Sequence, residues 1–158
     1  TLINYERERI MRVYLDNCSF NRPFDDQTQI KIRLETEAKL YIQKEILNGR
    51  FELVWSYILD FENAENPYEQ RRDSILNWKD IAILDCEEDE EVISLAQELV
   101  SIGLKVKDSL HIACAVKGKC QYFITTDNKI LNKHLNIISI VNPVDFIRIL
   151  EDDFDENG

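Results

Sequence analysis

Apolar residues recur along this chain in short bounded runs, separated by longer stretches with helical spacing. Five runs read as strands: "RVYLD" (12–16), "FELVWS" (51–56), "IAILD" (81–85), "QYFITTD" (121–127) and "NIISIV" (136–141). Each is rich in β-branched, aromatic or aliphatic residues and bounded by polar or turn residues, as buried strands are. A loop, "NCSFNRPFDD", follows the first run. Asp26 or Thr28 can then cap a helix reaching about Asn48, with Ile30, Leu34, Ala38, Tyr41 and Ile42 on one face and Gly49 as its stop. A helical stretch runs from about Tyr57 to Trp78, with a break expected at Pro67 because the residue before proline avoids helical geometry. "EVISLAQELVSIG" reads as an amphipathic helix closed by Gly103, and "KDSLHIACAVKG" as one closed by Gly118. "NKILNKH" is a short helix, and "PVDFIRIL" is the last, with Pro143 at its start.

Strands alternating with helices predict an α/β fold, a three-layer α/β/α arrangement around a central parallel sheet of about five strands. Such sheets bind ligands beyond the carboxyl ends of their strands. The chain has 158 residues, enough for one domain with a full core. Repeats and Gly-rich linkers are absent from the sequence, so a single domain is expected over 11–150. Residues 1–10 are read as an N-terminal extension or cloning remnant, because Met11 directly precedes the first strand run. Residues 151–158 are read as a solvated acidic tail.

The net charge of −11 argues against a simple cationic nucleic-acid binder. It is concentrated, however, in "DCEEDEE" (85–91) and "EDDFDEN" (151–157), which leave the rest of the chain balanced. No apolar run approaches the roughly 20 residues of a membrane span. The N-terminus "TLINYERERI" is too polar for a signal peptide. The cysteines, Cys18, Cys86, Cys114 and Cys120, form no CxxC pair. Together these features predict a cytoplasmic protein with reduced thiols and no membrane contact.

Acids stand where ligands bind such a sheet. Asp16 ends the first strand run and Asp127 the fourth. Asp108 begins a helix that returns to the sheet, so it starts at the same edge. Glu62 lies about one and a half turns into the helix after "FELVWS", with Asp60 and Glu65 as alternatives. Each acid alone has a plain reading: Asp16, Asp108 and Asp127 as helix or turn caps, Glu62 as a surface residue. Together they are costly. Four carboxylates about 5 Å apart at an effective dielectric of about 20 repel by roughly 3 kcal/mol per pair, near 20 kcal/mol in all. That rivals the stability of a whole domain. Such a cluster must raise its pKa values or bind cations, and hard Mg²⁺ or Mn²⁺ suits an all-oxygen site.

The segments "VYLDNCSF", "WSYILDFE", "VKDSLHIACA" and "FITTDNKIL" resemble, in order and spacing, the acidic motifs of PIN domains. The resemblance covers nearly all of residues 12–150. It is closest to small single-domain members, including the VapC-type toxins of toxin–antitoxin pairs. It implies a metal-dependent ribonuclease whose four acids fall on Asp16, Glu62, Asp108 and Asp127. It further implies one or two Mg²⁺ or Mn²⁺ ions held by those acids, with water rather than a side chain as the nucleophile. Thr125 falls on a small polar position near the fourth acid. Asn17 stands where relatives often carry Ser or Thr. His111, one helical turn after Asp108, reads as a packed or supporting residue rather than a ligand. Among cations near the predicted edge (Arg22, Arg33, Lys105, Lys107, Lys129), Lys107 and Lys129 flank site acids and are the expected phosphate contacts. Phe20 and Phe24 read as packing residues. The resemblance also implies an RNA substrate, an antitoxin partner and a homodimer, with apolar residues of the 28–48 and 57–78 helices as its face.

Two other acidic α/β families fit less well. A haloacid dehalogenase-type phosphatase needs D-x-D after strand one, where this chain has Asp16-Asn17-Cys18. A response-regulator receiver needs a Lys after its last strand, and "IVNP" (140–143) has none. The remaining alternative is a catalytically silent PIN-like module that binds RNA or a protein partner.

Overall fold

The computed structural model describes residues 10–157, with side chains to 152. The extension expected over 1–10 falls outside that range except for Ile10. Five strands form one parallel sheet: β1 (Met11–Leu15), β2 (Phe51–Ser56), β3 (Leu84–Cys86), β4 (Tyr122–Ile124) and β5 (Ser139–Val141), in the order β3-β2-β1-β4-β5. β1 is central, pairing with β2 through Val13↔Leu53 and with β4 through Tyr14↔Phe123. Eight helices connect or follow the strands: α1 (Asn17–Asn21), α2 (Ile30–Leu47), α3 (Tyr57–Ala64), α4 (Glu69–Ile81), α5 (Glu90–Ser101), α6 (Val106–Lys117), α7 (Asn128–Leu131) and α8 (Pro143–Asn157). This is the three-layer α/β/α arrangement around five parallel strands that the alternation predicts. Its core is built from Val13, Leu15, Leu53, Trp55, Ile112 and Phe123, all buried. No helix among the described residues is long and apolar enough to cross a membrane.

Several local expectations change. The loop after β1 is instead α1, followed by a 3-10 turn over Arg22–Phe24. Asp26 does not cap α2. It accepts from Thr28 N at 3.1 Å and Thr28 Oγ1 at 2.7 Å, and α2 starts later behind Gln29, without a side-chain cap. The stripe read on α2 is half exposed: Ile30 is 66% and Leu34 49% accessible, while Glu35, Lys39 and Gln43 are buried beside Ala38, Ile42 and Ile46. α2 packs between α8 on one side and α1 with its turn on the other, so burial spreads round its axis. The break near Pro67 is present, but α4 runs on to Ile81, and β3 begins only at Leu84. The last helix, expected over "PVDFIRIL", continues as backbone helix through the acidic run to Asn157.

Two glycines make the α5–α6–β2 junction possible. Gly103, at φ +106°, turns the chain out of α5 toward α6 in a conformation other residues rarely adopt. At Gly118 a Cβ would stand 2.8 Å from Val54 Cγ1, so the end of α6 can lie against β2 only without a side chain there.

Candidate active site

β1 ends at the carboxyl edge of the sheet, and the next residue is Asp16, almost fully buried at 3% exposure. Its backbone is extended, which makes it the N-cap of α1, and its Oδ1 accepts from Ser19 N at 3.0 Å. Its Oδ2 accepts from Thr125 Oγ1 at 2.5 Å. Thr125 Oγ1 in turn accepts from the backbone N–H of Asp127 at 3.0 Å. One buried hydroxyl thus ties together the acids that follow β1 and β4. Asp127 stands three residues beyond β4 rather than ending it, and caps α7 by accepting from Lys129 N at 2.9 Å. Burial pushes the Asp16 carboxyl above the usual range, and the Thr125 hydrogen bond opposes that shift.

Asp108 is no cap. Lys105 occupies the N-cap position of α6 without a side-chain bond, and Asp108 lies in the first helical turn. Partial burial raises its pKa first, and the charges of Asp127 and Glu62 raise it further. The helix N-terminus partly offsets that cost.

Of the three acids on the α3 segment, Glu62 is the one that reaches this edge. Its Oε1 is hydrogen-bonded to His111 Nε2. Asp60 instead accepts from Trp55 Nε1 at 3.0 Å and pairs with Lys79 at 3.0 Å. Glu65 caps the end of α3 and is largely exposed. His111 is buried, and its Nδ1 shares a 2.6 Å hydrogen bond with Tyr14 Oη, which shares another of 2.6 Å with Ser56 Oγ. Ser56 also caps α3 by accepting from Leu59 N at 3.3 Å. The chain Ser56–Tyr14–His111–Glu62 therefore fixes Glu62 from β1, β2 and α6 at once. Sequence reasoning missed Tyr14 and Ser56; a tyrosine in an otherwise apolar buried strand was the available signal.

The four acids share one electrostatic neighbourhood. Besides the effects on Asp108, the Cys18 thiol is pushed up to about 12, first by burial and then by the charges of Asp16, Asp127 and Glu62. The donor set is all carboxylate, the chemistry that suits a hard divalent cation. Among the described residues, however, no three of His, Cys, Asp and Glu are drawn into a ready ligand set.

Of the polar residues read beside the acids, Asn17 Oδ1 accepts from Asn21 Nδ2 at 3.0 Å. Lys107 turns outward, 3.9 Å from Glu65 and 5.3 Å from the centre of the Phe61 ring. Lys129 lines a cavity of about 370 Å³ with Lys105, Asp108 and Lys133. Lys105 and Lys133 complete a basic margin beside Asp108. Arg22 is instead tied to Asp25 at 3.0 Å and Glu35 at 3.5 Å, and Arg33 is exposed on α2.

The family model for the PIN domain matches residues 13–134, a span that contains all four acids. The chain belongs to the PIN domain family. A crystal structure of VapBC2 from Rickettsia felis, bound to a DNA fragment from their promoter, shares this PIN fold. It has a TM-score of 0.54 and 12% sequence identity, and the match covers 84% of this chain and 98% of that one. Comparison with curated protein sequences gives no match.

Proposed function

We propose that this PIN domain protein is a Mg²⁺- or Mn²⁺-dependent ribonuclease that hydrolyses RNA phosphodiester bonds, acting in the cytoplasm as the toxin of a toxin–antitoxin pair. The observation that carries this reading is the electrostatic neighbourhood of Asp16, Glu62, Asp108 and Asp127, in which Asp16 and Asp108 are both shifted toward the protonated form. Burial raises Asp16, and burial together with the charges of Asp127 and Glu62 raises Asp108; a bound cation offsets both costs. These four acids would hold the metal. A bound Mg²⁺ or Mn²⁺ supplies a lowered pKa for water and positive charge for the phosphodiester oxygens.

The chain's own residues set the geometry. Thr125 and Ser19 orient the two oxygens of Asp16. His111 aims Glu62, and Lys105, Lys129 and Lys133 offer an RNA backbone positive charge beside Asp108. An antitoxin partner is part of the proposal, supported by the structural likeness to a VapBC2 assembly. So is a homodimer, supported by the exposed Leu34, Leu40, Tyr41 and Leu47 of α2.

One observation favours the alternative of a silent module binding RNA or protein: Glu62 Oε1 is engaged by His111. Incubating the protein with diverse RNAs, with Mn²⁺ or Mg²⁺ and then with EDTA, separates the two. Cleavage that stops on chelation is expected. Cleavage that persists in EDTA contradicts the metal mechanism, and no cleavage of any RNA favours the silent module.

A further inference from the structure

A cavity of about 110 Å³, lined by none of the four acids, lies between α1, α2 and α4, walled by Phe20, Phe24, Ile75 and Trp78. That is well above the roughly 10–15 Å³ that admits one water, and well below the roughly 300 Å³ of a drug-sized pocket. Two polar side chains enter it from α2, one helical turn apart: Lys39 and Gln43. Each is only 4% exposed. Gln43 Nε2 is buried without a hydrogen-bond partner among the described residues. Lys39 makes no ion pair or hydrogen bond among them, and its Nζ lies 5.4 Å from the centre of the Phe20 ring.

An ammonium largely withdrawn from water and without an anion, beside a buried amide N–H without an acceptor, is a costly arrangement. The neighbouring charges do not relieve it. Glu35, one turn earlier on α2, is held by Arg22 and Asn142. In the turn, Arg22 is also bound to Asp25, and on α4 Lys79 is bound to Asp60. Arg71, also on α4, lays its guanidinium over the Phe24 and Tyr68 rings at 5.2 and 4.1 Å, which adds positive charge rather than removing it. The missing complement is one negative charge with two acceptor atoms and a small apolar remainder.

We propose that this cavity binds a small free monocarboxylate of the acetate-to-propionate class, its two oxygens accepting from Lys39 Nζ and Gln43 Nε2 and its alkyl part lying against Phe20, Ile75 and Trp78. The site is separate from the acidic edge and does not depend on its chemistry. Burial lowers the Lys39 pKa to about 7, so the empty site is charged on the acid side of neutrality. Anion binding draws a proton onto the amine. Well above pH 7 the affinity therefore falls by about tenfold per pH unit.

The test titrates sodium propionate into the full chain at pH 6 against sodium chloride at equal ionic strength. It reads tryptophan fluorescence (Trp78 lines the cavity) and the side-chain amide signals of Gln43. A saturable response to propionate and not to chloride is expected, weakening about five- to sixfold from pH 7 to pH 8 and about tenfold per unit beyond. Lys39→Met and Gln43→Leu should lose it; both replace a buried polar group with an apolar one of similar size, so both are expected to fold. A cavity filled only by water gives no saturable response, and that result overturns the proposal. So does an equal response to chloride, or a folded Lys39→Met protein that still binds propionate.

Discussion

Thr125→Val tests the buried link between Asp16 and Asp127. The hydroxyl is fully buried, donates to Asp16 at 2.5 Å and accepts from the Asp127 N–H at 3.0 Å. Valine matches its shape and removes both bonds. A hydrogen bond to a charged group contributes about 1.5–3 kcal/mol, and a stranded backbone N–H costs about 1 more. The expected loss is therefore about 3 kcal/mol, or roughly 6–12 °C in Tm for a domain of this size. The loss depends on pH in a defined direction. The Thr125 bond holds the Asp16 pKa down against burial, so removing it raises that pKa further. The mutant's native state then binds its proton more tightly than the unfolded chain does. Its stability falls relative to wild type as pH rises through the folded-state pKa and recovers on acidification. Urea unfolding of the metal-free protein at several pH values between 4 and 8 reads this directly. Thr125→Ser, which keeps the hydroxyl, should stay near wild type. A Thr125→Val protein as stable as wild type at pH 7, or one that loses more stability at pH 4 than at pH 8, would refute the reasoning.

Asp108→Asn should leave the metal-free protein at least as stable as wild type in thermal unfolding, since it removes a carboxylate raised by burial and by Asp127 and Glu62, while reducing RNA cleavage at least about 100-fold; a residue acting only through helix placement would spare activity. Tyr14→Phe removes the hydroxyl between Ser56 and His111 and should cost about 1–3 kcal/mol by urea unfolding, with a drop in kcat through the loosened Glu62; unchanged stability would mean that the relay is not formed in solution. Gly118→Ala places a methyl 2.8 Å from Val54 Cγ1 and should destabilise the fold by about 1–3 kcal/mol, read as a shift in Tm.

How far the site could be read ahead of the structure varies residue by residue. The alternation of strand and helix predicted a parallel sheet, and parallel strands put Asp16 and Asp127 at one edge whatever the exact strand ends. Asp108 followed because a helix returning to the sheet must start there. Glu62 could not be separated from Asp60 and Glu65 by spacing alone, because the choice rests on His111, 49 residues away, and on Trp55 and Lys79 claiming Asp60. The Tyr14 bonds span 42 and 97 positions, so no local pattern reveals them. α1 escaped notice because four polar or small residues around Phe20 carry little helix signal; the Asp16 cap supplies what propensity does not. On α2 the apolar stripe misled, because packing from two sides buries Glu35, Lys39 and Gln43 as well.

The claim that Asp16, Glu62, Asp108 and Asp127 form one cation site is tested most directly by Mn²⁺ titration of the RNA-free protein, followed by electron paramagnetic resonance. The account predicts saturable binding at one or two ions per chain, lost in Asp16→Asn and weakened at least about tenfold in Asp108→Asn. Binding that is absent in the wild-type protein, or that survives unchanged in Asp16→Asn, would contradict it.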